Sequence, residues 1–261
     1  MECFTISDPN DRTFPFGRNT FEDPHILFHG TWSTWSSRIE AGGFVRGDLP
    51  FDWQHVGTVF RANQAIGRGS FLRLFLGDDY PRKLPPRDLF LSANFWCARA
   101  YATDARGEVI RNTIEEAEQF ERVCSIPQER AALKGLWEQG LREQPQHPAT
   151  RAALELLKND EALNHIRADV KVAKNALLTL TAGGHPIVYG VRVEPKWLAR
   201  DWEEYLLDWE AGDREVDIRS RADLITADRL IAKVSYPNGT DQDFMPAGFS
   251  TWEQVAAFAS R

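Results

Sequence analysis

Between about Arg111 and Leu180 the chain carries only helix-periodic segments, and every strand-like segment lies before or after them. NTIEEAEQFERV, ERAALKGLWEQGL, ATRAALELLKNDEALNHI and KVAKNALLTL repeat apolar residues at helical spacing, with Pro127, Pro145 and Pro148 as breaks. On the N-terminal side, PHILFHGT and DLFLS have strand character. On the C-terminal side, PIVYGVRVEP, EVDIRS and DRLIAKVSYP do. Short strands need partners, so the two blocks are expected to form one sheet across the helical stretch. The expected class is α+β: a split mixed β-sheet in a single domain spanning 1–261, with a helical insertion at about 111–180.

Smaller features complete this reading. The first 24 residues, rich in Pro, Asp, Asn and Arg, suggest an irregular arm. STWSSRIEAGGF suggests a helix capped by Ser33 or Thr34 and ended by Gly42 and Gly43. Residues 45–87 suggest mostly loops around the apolar FLRLFLG. ANFWCARAYAT suggests a helix with Phe95, Ala98 and Ala102 on one side.

The composition belongs to an ordinary globular protein, with 43% hydrophobic and 26% charged residues. A net charge of −7 argues against a broad basic surface for duplex nucleic acid. A local groove around Arg61, Arg68 and Arg73 stays open beside the simpler reading of a solvated loop. Cys3, Cys97 and Cys124 lack the spacing of a zinc site or a disulfide framework. The polar N-terminus and the lack of a long apolar run lead to the expectation of a cytoplasmic protein that does not engage membranes.

Several familiar chemistries are missing. There is no phosphate-binding Walker loop, GRGSF does not complete a GxGxxG fingerprint, and no G-x-S-x-G elbow occurs. His25 and His29 stand four apart, but Ile, Leu and Phe between them suit a strand better than a metal-binding helix.

Three distant clusters remain: FHGT at 28–31, LFLSANFWCARAYA at 89–102, and REVDIRSRADLITADRLIAKV at 214–234. In order and in fit to the expected elements they resemble the ADP-ribosyltransferases. The resemblance is to the His-Tyr-Glu branch shared by diphtheria-type toxins and poly(ADP-ribose) polymerases. His29-Gly30-Thr31 matches the first part of that signature. Ala98-Arg99-Ala100-Tyr101-Ala102 matches the second, with Phe90 eleven residues before Tyr101 as the outer aromatic. Glu215-Val216-Asp217-Ile218 matches the third. The matching segments cover about a fifth of the chain.

The resemblance implies an NAD-dependent mono-ADP-ribosyltransferase that releases nicotinamide, with NAD as substrate and no metal. Cleavage of the nicotinamide–ribose bond passes through an oxocarbenium-like sugar, as glycoside hydrolysis does. Phe90 and Tyr101 would offer ring faces to nicotinamide, and Gly30 a backbone approachable by its carboxamide. His29 would hold a ribose hydroxyl, Thr31 would reach the adenosine-side ribose, and Glu215 would stabilise the developing cation. The chain departs from the pattern in four ways. Phe90 stands for a Tyr, and Ala98 for a Ser found in polymerase members. Asp217 makes a Glu-x-Asp pair like the Glu-x-Glu of the arginine-specific branch, and the helical insertion is long.

An RNA 2′-phosphotransferase shares an HGT-like segment and the use of NAD, but needs no glutamate at this place. A catalytically inactive NAD-fold binding module is the reading from a different class. Family habit points to a bacterial toxin or phage-defence effector. Its partners would be a macromolecular acceptor, protein or nucleic acid, and an antitoxin or immunity protein.

Overall fold

The computed structural model describes residues 1–11, 13–46, 51–76, 89–103, 108–212, 218–240 and 251–259. In chain order the elements are β1 (Glu2–Thr5), α1 (Arg18–Phe21), β2 (Ile26–Trp32), α2 (Ser36–Gly42), β3 (Phe44–Val45), α3 (Trp53–Ala65), α4 (Arg73–Leu76), β4 (Leu89–Leu91) and α5 (Phe95–Thr103). They continue with α6 (Glu108–Ser125), α7 (Pro127–Glu143), α8 (Pro148–Lys158), α9 (Asp160–Thr181), β5 (Pro186–Arg192) and α10 (Trp202–Glu210). β6 (Ile218–Ser220), β7 (Leu224–Ile225), β8 (Leu230–Ser235) and α11 (Trp252–Ala259) complete the order. The chain divides into two compact units, Met1–Pro50 with Pro86–Glu108 and Thr181–Arg261, and Phe51–Pro85 with Val109–Leu180.

The first unit is built on a mixed four-stranded sheet in the order β1-β8-β5-β2. β1 runs parallel to β8, while β5 is antiparallel to both β8 and β2. Six of the seven residues of β5 are buried, because each face of the sheet carries its own core. Val188, Ala232 and Val234 face one core with Ile26 and Phe28. Ile187, Tyr189, Val191 and Leu230 face the other with Leu27, Leu91, Ile218 and Ile225. The period-2 alternation of strand side chains divides them along β2 and β5, and the register shift that pairs Gly190 with Ala232 but Val191 with Leu230 turns Leu230 to the second face. The expected strands at PHILFHGT, PIVYGVRVEP and DRLIAKVSYP are therefore present, and they pair across the helical stretch.

The N-terminal arm is more ordered than its composition suggests. Phe14 anchors the first core through edge-to-face contacts with Phe16, Phe21, Phe28 and Phe95 at 5.1–6.0 Å. β1 was missed because it is short, largely exposed and lies at the sheet edge. A second tie is the buried Arg99 of α5, which donates to the carbonyls of Asp11 (2.6 Å) and Pro9 (2.9 Å) and covers the Tyr236 ring at 5.0 Å. Hydrogen bonds from a charged donor contribute about 1.5–3 kcal/mol each. Arg99→Ala is therefore expected to cost about 2–4 kcal/mol in urea unfolding. Arg99→Lys should recover only part, since one ammonium cannot reproduce the planar fork.

The second unit is helical among its described residues. It holds the expected stretch and adds α3, which lies where the sequence suggests loops. Asp52 caps α3 by accepting from the Gln54 N–H, and Trp53, Val56, Val59 and Phe60 are buried at helical spacing. Arg68, at the end of this segment, donates to Gln119 at 2.5 Å rather than standing in a solvated loop. Two corrections apply further on. ATRAALELLKNDEALNHI is broken at Asn159, whose side chain accepts from the Ala162 N–H and starts α9. α9 then runs without interruption to Thr181.

Candidate functional site

The site begins at the edge of the four-stranded sheet. β2 has β5 on one side, and on the other, among the described residues, its backbone is bridged only at Ser92. There, the Phe28 N–H donates to Ser92 O (2.7 Å) and the Ser92 N–H to Phe28 O (2.8 Å). Alternate residues of a strand direct their N–H and C=O groups to the same side. Gly30 therefore turns both backbone groups towards the edge that Phe28 uses. In a continued ladder Phe90 would lie opposite Gly30. Instead β4 pairs with β6, placing Phe90 against Arg219, and the Phe90 carbonyl accepts a hydrogen bond from His29 Nδ1 at 2.9 Å. The sheet splits here. Among the described residues nothing takes the N–H or C=O of Gly30.

His29 is half-buried, with the Phe44 ring edge-on at 4.7 Å. A carbonyl can only accept, so Nδ1 carries the proton. Burial lowers the pKa of the ring, against the opposing effect of the Phe90 carbonyl. At neutral pH the imidazole is uncharged, and Nε2 is left as an acceptor suited to a sugar hydroxyl.

Gly30 has a structural reason as well as its place on the edge. A Cβ there would lie 1.8 Å from Ala98 O and 2.7 Å from Ala102 N. The missing side chain lets α5 seat directly on β2. Ala98 and Ala102 form the contact face, as the spacing of that helix suggests, and Tyr101 lies on the turn between them, 42% exposed. Phe90 is 53% exposed. Its parity matches that of Ser92, which pairs with Phe28, whereas Leu91 turns into the opposite core. Phe90 thus stands on the α5 side of the sheet, with the Cα face of Gly30. Thr31 is half-buried and shares the His29 face of β2.

Glu215 and Asp217 lie outside the described residues. The next described residue, Ile218, opens β6 and pairs with Leu91 next to the Phe28–Ser92 bridge. The structure therefore brings His29, Gly30, Phe90 and the Tyr101-bearing helix to one split. Sequence reasoning missed Phe44, which follows the Gly42-Gly43 helix stop. The expected cap at Ser33 or Thr34 is not formed. Ser33 instead opens a 3₁₀ turn, and its hydroxyl accepts from the His185 N–H at 2.9 Å.

Burial also lowers the pKa of His185, helped by the positive charge of Lys233. For both histidines the folded pKa lies below the ordinary value of about 6.5. The unfolded chain then binds more protons below that pH, so stability is full above it and declines as pH falls towards the folded values. The urea midpoint is expected to be lower at about pH 5.5 than at about pH 7.5. His29→Gln should flatten part of that slope.

Comparison with protein families, with curated proteins and with solved structures finds no match. Among the described residues no group of three or more His, Cys, Asp or Glu could hold a metal ion. No helix among them is long and apolar enough to cross a membrane.

Proposed function

We propose that the split beside Gly30 binds NAD and that the protein transfers ADP-ribose to a macromolecular acceptor. The observation that carries this reading is the backbone of Gly30, which has no strand partner on the Ser92 side among the described residues and lies beside a neutral histidine of defined tautomer. A carboxamide has one acceptor oxygen and an amide donor, so it complements one strand residue through two hydrogen bonds. Phe90 and Tyr101 are large exposed aromatics on the same side of the sheet, suited to a flat heteroaromatic ring. His29 Nε2 would accept from a hydroxyl of the nicotinamide ribose.

In the proposed reaction the bond between the ribose C1′ and the nicotinamide nitrogen breaks. Its electron pair passes to the pyridinium, giving neutral nicotinamide and a ribosyl cation. The acceptor attacks C1′ and loses a proton. Glu215 is the residue proposed to stabilise the cation, and Asp217 is its alternative.

The reading is tested by incubating the protein with NAD labelled in its adenylate phosphate and a whole-cell extract. Protein, RNA and DNA are then separated, with His29→Ala as control. Label in one fraction, reduced in the control, is the expected result. Absence of both labelling and nicotinamide release would overturn it.

A further inference from the structure

We propose that Phe44 is a positioning residue for His29, holding the imidazole so that its Nδ1–H meets the Phe90 carbonyl and Nε2 is left for a ligand. The inference rests on the NAD reading only for what that ligand is. The orientation of the ring is a property of the protein alone.

The geometry is that of a wedge. The buried Phe44 ring meets His29 edge-on, with centroids 4.7 Å apart and planes at 68°. It meets Tyr189 in the same manner at 5.9 Å and 82°. Tyr189 is the register partner of His29 across β2 and β5, so Phe44 packs against both members of one cross-strand pair. An imidazole held by one hydrogen bond can still turn about χ2, a broad torsion for histidine. The Phe44 ring limits that freedom.

Phe44 is itself fixed from two directions. Glu40 of α2 accepts from the Tyr189 hydroxyl (2.8 Å) and from Lys233 Nζ (2.7 Å), which pins the helix to the sheet. The helix is closed by Gly43, whose φ of 80° suits glycine and where an added Cβ would meet Ile225 O at 2.0 Å. Phe44 then pairs with Ile225 in the β3–β7 ladder.

The test is the tautomer of His29, read from imidazole ¹⁵N shifts at a pH where the ring is neutral. The protein has six histidines, so the His29 signals are those lost in His29→Gln. The unsubstituted protein should show the Nδ1–H form. Phe44→Ala should populate the Nε2–H form and weaken NAD binding by roughly tenfold, the scale of one neutral hydrogen bond. Phe44→Leu, which keeps more volume, should fall between them, and it serves in place of alanine if that variant does not fold. A folded Phe44→Ala or Phe44→Leu protein whose His29 stays wholly in the Nδ1–H form would overturn the proposal. If NAD leaves the His29 signals of the unsubstituted protein unmoved, the NAD reading fails, and the tautomer comparison still decides the role of Phe44.

Discussion

Gly30→Ala is expected to unseat α5 from β2 and to destabilise the protein by at least about 3 kcal/mol, the upper range for overpacking. The new methyl would sit 1.8 Å from Ala98 O and 2.7 Å from Ala102 N. Both are backbone atoms, so no change of rotamer relieves the overlap. The helix must move, and with it Phe95, Trp96, Ala98 and Ala102, which line the aromatic core. Urea unfolding measures the loss. Gly42→Ala is the control, because nothing lies within 4 Å of its added Cβ and it occupies the last residue of a helix. It should be neutral or slightly stabilising. Equal stability of Gly30→Ala and the unsubstituted protein would mean that α5 does not pack on this strand as described.

Glu215→Gln is expected to lower ADP-ribosyl transfer about 10²–10³-fold, the usual cost of removing one preorganised electrostatic partner. Glutamine keeps nearly the same shape and removes the charge beside the ribosyl cation. NAD affinity should change far less, because the lost interaction belongs mainly to the transition state. Asp217→Asn should be much milder. Single-turnover nicotinamide release separates chemistry from binding in both variants. If Asp217→Asn abolishes release while Glu215→Gln leaves it intact, the carboxylates have been assigned the wrong way round.

The parts of the fold legible in the sequence are those where burial imposes a period. The apolar run in PIVYGVR reflects a strand buried on both faces, the alternation in LIAKVS a strand buried more on one, and the spacing of Phe95, Ala98 and Ala102 a helix lying on a strand. β1 escaped because an exposed edge strand has no apolar face to display. α3 escaped because its glycine and polar residues masked the buried spacing of Trp53, Val56 and Phe60. The junction of α8 and α9 turns on the side chain of Asn159, which reads as an ordinary polar helix residue.

At the candidate site, His29 and Gly30 stood out as a dipeptide, but half of the reason for the glycine did not. Its closest neighbours are backbone atoms of residues 98 and 102. That contact is tertiary and leaves no local trace. The same holds for Phe44, whose contact with His29 depends on the β3–β7 ladder and on the pinning of α2 by Tyr189 and Lys233.

The central claim is that the split at Gly30 holds the nicotinamide end of NAD, and a crystal structure of the protein with bound NAD tests it most directly. The carboxamide is expected on the N–H and C=O of Gly30, with the pyridinium beside Phe90 and Tyr101 and a ribose hydroxyl on His29 Nε2. NAD seated anywhere else, or a Gly30 edge left empty in crystals grown with saturating NAD, would contradict the claim.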